Sequence, residues 1–434
     1  MHPTRTLMFS GLALIVLAAL SGQAFASTVT VGLCPGPGTH YITIQAAVNA
    51  VSIGGAVKVC PGNYPEQITI TRNLTLTGIT SGTNGAAVVA VPSGGLVTNG
   101  VTDIFGNPTA AQIFVQNAAV TISRITVDGA NDGLTDCSIN AIGIYYQNAS
   151  GTITANAVRN VLLPTGLQGC QDGLAINVES NTGTPAVTIS NNSVRNYDKN
   201  GITASGPDNG SPGPNVTVTG NTVIGLGATT VTAQNGIQIG YGATGKVTSN
   251  NVVDDIFINP PACSPCWGSS GILIYGSSGV TVTSNTVEST QYGIVPVTES
   301  ASLTANGTII KLNRVGGTQT FDAIDLCSDW NTAQSNIIYG SAESGIHLDD
   351  SCSPSTGSNN TVTGNTINEA CAGILLGTGT LNTTTPNTFM NVTNTTVAGD
   401  VCTPTLAPTA GADTRGSLAN HLSLRPSPYK LNRN

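Results

Sequence analysis

Charged side chains are scarce in this chain. Asp, Glu, Lys and Arg make up 8% of its 434 residues, against about 25% in an ordinary soluble domain. That excludes coiled coils and helix bundles, which need Glu, Lys, Leu and Ala in quantity. Aromatic residues are also few, at 4%, so a surface built on sugar stacking has little to draw on. Positive charge is in deficit, with 14 Lys and Arg against 22 Asp and Glu. The few basic residues are scattered, which argues against nucleic acid as a partner, since that binding depends on clustered positive charge. No segment beyond the N-terminal region is a candidate transmembrane span, which takes about 20 apolar residues.

What the chain does have is 52 glycines and 39% hydrophobic residues. β-Branched types run throughout, enough to build a core and to disfavour a disordered chain. Residues 1–26 read as a secretory signal, with Arg5 in the n-region, an apolar stretch from Leu7 to Leu20, and Ala24-Phe25-Ala26 as small residues for cleavage near Ala26. No cysteine follows that site, which argues against a lipoprotein anchor. A secreted or periplasmic protein is expected. The 10 cysteines all lie beyond the signal, and an even count in an exported chain implies disulfides. Pairing between sequence neighbours is expected: Cys34–Cys60, Cys137–Cys170, Cys263–Cys266, Cys327–Cys352 and Cys371–Cys402. The CxxC spacing at Cys263 and Cys266 lacks a second CxxC and a βαβ context, so it reads as a loop bridge rather than a zinc or redox site.

Two short phrases recur at intervals of roughly two to three dozen residues, which is the mark of a repeat architecture. The first is a β-rich run ending in Asn-x-Val, with asparagines at Asn156, Asn192, Asn221, Asn251, Asn285, Asn313, Asn336 and Asn365. The second is Gly-Ile-x-apolar, at Gly143, Gly173, Gly201, Gly236, Gly271, Gly293, Gly345 and Gly373, with Ala323 replacing one glycine. Apolar and polar residues alternate inside each phrase, as in Val216-Thr217-Val218-Thr219, so the phrases are short half-buried strands. With no helix between them they cannot form βαβ layers. Stacking each strand on its equivalent in the next unit, ~4.8 Å away, satisfies the backbone and lines a continuous core. Asparagine fits a turn that needs left-handed backbone, and its amide can bond the asparagines above and below. The expected fold is an all-β parallel solenoid.

One segment breaks the pattern. Ile44, Ala47, Val48 and Val51 have helical spacing, with Thr43 as N-cap and Gly54-Gly55 as the stop. This short helix is expected to cap the N-terminal end of the core. The organisation is then a signal peptide (1–26), an N-terminal strand and capping helix (27–55), a parallel β-helix (56–402) and a C-terminal tail (403–434).

The run Tyr41-Ile42-Thr43-Ile44-Gln45-Ala46-Ala47, followed by Val57-Lys58-Val59-Cys60-Pro61-Gly62-Asn63-Tyr64 and Leu74-Thr75-Leu76-Thr77-Gly78, resembles the opening of pectin-lyase-like proteins. The later Asn-x-Val and Gly-Ile units resemble the repeats of that superfamily across roughly residues 40–400. The resemblance implies a single-stranded right-handed parallel β-helix and a bias towards extracellular polysaccharide. It specifies fold more than activity, since the superfamily holds lyases, esterases, hydrolases, epimerases and non-catalytic proteins. No family catalytic set carries over. Asp103-Ile104-Phe105-Gly106-Asn107 is similar to part of a pectin methylesterase motif but lacks its companions, and Asp172-Gly173 and Asp349-Asp350 are fragments of polygalacturonase motifs.

Chemistry is then sought in the stacking. The residue two after each Gly-Ile glycine is expected to point outward in one column: Tyr145, Ala175, Thr203, Gln238, Leu273, Val295, Asp325, His347 and Leu375. Asp325 and His347 fall on adjacent units, with Asp349 on the same face as His347 and Asp350, Asp322 and Asp329 close in sequence. A carboxylate beside an imidazole can orient it as a proton carrier, and paired carboxylates can act on a glycosidic bond or hold calcium. Asp325, His347, Asp349 and Asp350 are the catalytic candidates, with Asp322 and Asp329 beside them for substrate. A second stripe runs Asp128, Arg159, Arg195, Ile224, Asp254 and Glu288. Arg159 and Arg195, with Lys199, could grip a uronate carboxylate. Asp128, Asp132 and Asp136 in one loop are a further candidate calcium set. Two functions stay open: an exported protein that binds or processes a polysaccharide, with uronate-type glycan favoured, or a non-catalytic surface or matrix β-helix of structural or adhesin-like role. The sequence leaves oligomeric state and enzyme class open.

Overall fold

The structure is a computed structural model that describes residues 27–79, 86–170, 172–258, 268–318 and 321–399. The expected leader, the tail 403–434, and Cys263, Cys266 and Cys402 lie outside the described residues.

Alternation gives each strand one face for the core. In Asn215–Thr219, Val216 and Val218 are buried while Thr217 and Thr219 are half-buried. Successive coils lay like residues on one another: Ile122 pairs with Ile153, then Ile189, Val218 and Val247, in parallel throughout. This column belongs to a 13-stranded sheet, and the other two faces of the coil are joined in a 22-stranded sheet. On the second face Val158, Val194, Val223, Val252 and Val287 stack in parallel. On the third, Ile144, Ile176, Ile202, Ile237, Ile272, Ile294 and Ile324 do the same. These side chains are fully buried and belong to one cluster that runs the length of the coil. Each contributes about 1.5–3 kcal/mol by leaving water.

The first turn of each coil is held by an asparagine ladder. Asn156 N and Nδ2 donate to Asn192 Oδ1, and the same pair of bonds links Asn192 to Asn221, Asn221 to Asn250, Asn250 to Asn285, Asn285 to Asn313, Asn313 to Asn336, Asn336 to Asn365 and Asn365 to Asn387. Two details differ from expectation. The fourth member is Asn250, and Asn251 is exposed beside it. The left-handed residue is the one before the ladder asparagine: Ala155, Asn191, Ser249, Ser284, Leu312 and Ser335 all have φ between 54° and 58°. Holding a residue with a Cβ there costs about 1–2 kcal/mol, which the ladder bonds offset.

The Gly-Ile glycines are needed for room rather than for φ. A Cβ on Gly236 would lie 2.3 Å from Val252 Cγ1, on Gly271 2.3 Å from Val287 Cγ1, and on Gly293 2.5 Å from Val315 Cγ1. The corner of the third face therefore sits directly on the valines of the second. Gly173 is not in this row. Its place is taken by Ala175, since Ile176 is the residue that stacks between Ile144 and Ile202.

The helix forms over Ile44–Ala50, with Thr43 Oγ1 accepting from Ala46 N and Ile44, Ala47 and Val48 buried. Glu66 accepts from Ile44 N and Gln45 N, so a carboxylate satisfies two of the free amides at the helix N-terminus. Disulfides join Cys34 to Cys60, Cys137 to Cys170 and Cys327 to Cys352. Cys371 is also disulfide-bonded.

Candidate functional site

The outward column of the third face runs Phe114, Tyr145, Asn177, Thr203, Gln238, Leu273 and Val295. Asp325 and His347 continue it as direct register partners, and Leu375 follows His347. Asn177 replaces the expected Ala175, for the reason given by Ile176. The column points away from the core yet is largely covered: Tyr145, Asn177, Thr203, Leu273, Val295 and Asp325 are all buried. Tyr292, stacked on Phe321 at 4.4 Å, joins Leu273, Val295, Leu303 and the Cys327–Cys352 bridge in a second apolar cluster outside the coil.

Against this cluster sits a group of acids around one histidine. Asp322 leads into the strand Ile324–Asp325. Its Oδ1 accepts from Ser344 N at 3.1 Å and Ser344 Oγ at 2.5 Å, and its Oδ2 lies 3.3 Å from His347 Nδ1. Asp325 is 1% exposed, and its Oδ1 has no hydrogen-bond partner. Asp349 accepts from Ser351 N and Ser351 Oγ, both at 2.8 Å, and its Oδ2 lies 3.3 Å from Cys327 Sγ. Glu343, buried beside a bulge between Ser341 and Ser344, adds its charge. The His347 side chain keeps 16% of its surface exposed.

Burial pushes the Asp325 carboxyl well above the usual carboxylate range, and the charges of Asp349, Asp322 and Glu343 add to this while His347 opposes it. Burial alone would lower the His347 pKa. The charge and hydrogen bond of Asp322, then Asp349 and Asp325, overcome it and lift the imidazole to about 10. At neutral pH the site therefore holds an imidazolium paired with Asp322, beside a carboxyl group whose burial favours its protonated form. Environments that drive neighbouring groups in this way are those suited to acid–base work.

Asp322, Asp325 and His347 bring donor atoms within 4.8 Å of one another. Asp322 nevertheless spends both oxygens on Ser344 and His347, and an imidazole does not suit calcium, which takes oxygen ligands. Cys327, Asp349 and Cys352 are equally close, but both sulfurs are in the bridge.

The other expected residues go elsewhere. Asp329 accepts from Thr356 N and Ser358 N, tying one loop to the next. Asp350 Oδ2 accepts from Thr378 N at 2.7 Å and from Thr378 Oγ1. Partial burial would raise its pKa, but the Thr378 bonds hold it below the usual range. Arg159 and Arg195 do stack on the second face below Asp128. Arg159, however, is paired with Asp128 at 2.9 Å, and Arg195 is exposed. Val253, not Asp254, continues this stripe to Glu288, a consequence of the one-residue shift at Asn250. Lys199 is buried, with Nζ donating to Ala233 O at 2.6 Å. Burial lowers its pKa to about 7, against the charge of Asp198. It cannot reach a surface ligand from there. Asp128, Asp132 and Asp136 do not form a cation set among the described residues. Asp128 serves Arg159 and Asn160, Asp132 accepts from Leu134 N, and Asp136 accepts from Ser138 N.

Residues 213–389 match the family model described as a right-handed β-helix region. The match covers less than half of the chain and agrees with the parallel three-faced coil, so it supports a right-handed β-helix fold. Among solved structures, the chain is similar to the GH136 lacto-N-biosidase from Eubacterium ramulus, at 12% identity and TM-score 0.55, covering 84% of this chain and 67% of that one. It is also similar to the A-module of an Azotobacter vinelandii mannuronan C-5 epimerase, at 15% identity and TM-score 0.47, covering 82% and 92%. Identities this low show the fold alone. No curated protein matches the sequence. No helix among the described residues is long and apolar enough to cross a membrane.

Proposed function

We propose that the protein is exported by its 1–26 leader and cleaves an extracellular polysaccharide at the Asp325–His347 cluster, with the Ile44–Ala50 helix closing the N-terminal end of the coil. The observation that carries this is Asp325: a buried carboxylic acid with one oxygen unused, one strand away from a histidine already fixed by Asp322. In this reading Asp325 gives its proton to the leaving glycosidic oxygen. Asp349, oriented by Ser351, takes a proton from the water that adds to the anomeric carbon as the glycosidic bond breaks. The Asp322 carboxylate keeps His347 protonated, so the imidazolium faces the sugar as the one cation of the cluster. A uronate-type glycan, whose carboxylate would complement that cation, is the favoured substrate class.

The test is incubation with a panel of uronate and neutral polysaccharides, following reducing ends and the absorbance of unsaturated products. Cleavage that disappears in Asp325→Asn and His347→Ala supports the assignment. No cleavage by the full chain, or cleavage unaffected by both changes, would leave the structural or adhesin-like reading in its place.

A further inference from the structure

A strap crosses the N-terminal part of the third face, pinned at its base by amides and held at its tip beside two acids. Residues 96–108 leave the coil and close on themselves through an antiparallel bridge between Thr102 and Pro108. At the base, Gln67 Nε2 donates to Val97 O and Gln67 Oε1 accepts from Val97 N, both at 2.9 Å. The Asn99 amide makes a like pair of bonds with Ala111 N and O. None of these groups titrates. Gly100, at φ 75°, separates base from tip with a left-handed backbone that glycine adopts without strain. At the tip, Gln147 Nε2 donates to Thr102 O at 2.7 Å and Ile104 N donates to Glu179 Oε2 at 3.3 Å. The Phe105 ring packs edge-on against Tyr241 at 4.9 Å.

Closing the strap buries an acid of the tip against an acid of the face. Asp103 and Glu179, the last residue of strand Leu174–Glu179, are both buried. Asp103 accepts from Phe105 N, Asn107 N and Asn107 Nδ2, and Glu179 accepts from Ile104 N, Tyr145 Oη and Asn177 Nδ2. All six donors are neutral, and among the described residues no ion pair reaches either acid. The other titratable groups around the tip are Tyr145 beneath it and, acting on Tyr241, Tyr275, Glu299 and Asp208. None brings positive charge, so lost hydration and mutual repulsion oppose ionisation while the strap is closed, and both are relieved when the tip lifts into water. Burial, then the charge of Asp103, raises the Glu179 pKa to about 7 against its three hydrogen bonds. Burial also raises that of Asp103, against its bonds from Asn107, Phe105 and Asn140. The closed strap is therefore the better proton binder. Its advantage is complete below the ordinary Glu value of 4.5 and is lost as pH rises through about 7. We propose that the strap 96–108 is a pH-controlled cover, closed in acid and released past neutrality by repulsion between its own Asp103 and Glu179 of the face beneath. Release uncovers Tyr145, Gln147, Glu179 and Tyr241 on the face that also carries Asp325 and His347.

Hydrogen-exchange mass spectrometry on the full chain tests this at the Ile104 amide, which donates to Glu179 across the strap–face contact. Protection factors, corrected for the intrinsic pH dependence of exchange, are compared with those of the coil strand Asn215–Thr219. From about pH 4.5 to about pH 8 the relative protection of Ile104 should fall at least ~10-fold. Glu179→Gln keeps an acceptor for Ile104 N and removes the charge, so its fall should stay under ~3-fold. Asp103→Asn, which takes the charge from the tip, should flatten the dependence as well. Phe105→Ala loosens the tip without touching either acid, and should lower protection by a similar factor at every pH. Protection in the parent that does not change with pH would overturn the proposal, as would a fall that survives in both Glu179→Gln and Asp103→Asn. So would a Phe105→Ala chain whose pH dependence vanishes while its strap stays protected, because the charge pair would then not be what opens it.

Discussion

Asn250→Ala and Asn251→Ala are adjacent substitutions that the structure separates sharply. Asn250 Oδ1 accepts from Asn221 N and Nδ2 at 2.9 Å each, and its Nδ2 donates to Val218 O at 3.0 Å and Asn285 Oδ1 at 3.0 Å. Truncation leaves Asn221 N without its acceptor inside the coil and removes the donor to Val218 O. Asn221 Nδ2 keeps Ile189 O, and Asn285 Oδ1 keeps Asn250 N, so the damage is one or two buried groups. At about 1–3 kcal/mol for each unsatisfied buried group, the expected loss is about 1–6 kcal/mol. Asn251 is exposed, and its loss should cost under about 0.5 kcal/mol. Equilibrium urea unfolding of the two variants, with m-values checked for constancy, makes the comparison. Equal losses, or a larger loss at Asn251, would refute the ladder as drawn.

Two further outcomes follow from the packing and the site. Gly271→Ala sets a Cβ 2.3 Å from Val287 Cγ1 and should cost about 1–3 kcal/mol, whereas Gly94→Ala, with open space around it, should be near neutral in the same assay. The pH dependence of stability should fall on the alkaline side. The folded pKa of His347, about 10, exceeds its unfolded value near 6.5, so the contribution of its pairing with Asp322, Asp325 and Asp349 is complete below pH 6.5 and lost as pH rises through 10. Asp325 acts with the same sign, since a raised carboxyl pKa makes the native state the better proton binder above pH 4. A His347→Gln chain should therefore lose less stability than the parent between pH 6.5 and 10 in denaturant titrations. Parallel curves would remove the imidazolium from the site.

The coil was legible because its signal is repetition. Alternating Val and Thr, recurrent Asn-x-Val and recurrent Gly-Ile each state the same register, and the outward partners Asp325 and His347 follow by counting. The errors lie where counting is degenerate. Asn250-Asn251-Val252-Val253 contains two Asn-x-Val frames, and only the bonds of Asn250 to Asn221 and Asn285 choose between them. Gly173-Leu174 matches the Gly-Ile phrase two residues early, whereas the register places Ala175 at the corner. Stacking also does not reveal neutralisation. Arg159 sits in the expected stripe, but its charge is taken by Asp128 of the preceding coil. Lys199 looked like a surface cation and is an interior donor to Ala233 O. Glu343 and Ser344 enter the site through a bulge between Ser341 and Ser344, which no periodic pattern announces. Asp103 comes near Glu179 only because a strap folds back across the face, with the hydrogen-bonded Ile104 and Glu179 at a sequence separation of 75.

The most direct measurement is a double-mutant cycle at the paired positions. Turnover of the cleaved polysaccharide would be compared among the parent, Asp325→Asn, His347→Gln and the double variant. If stacking joins these side chains into one acid–base unit, each single change lowers kcat by at least ~100-fold, and the double falls little below the worse single. Losses that multiply would contradict the account, as would turnover that survives either change.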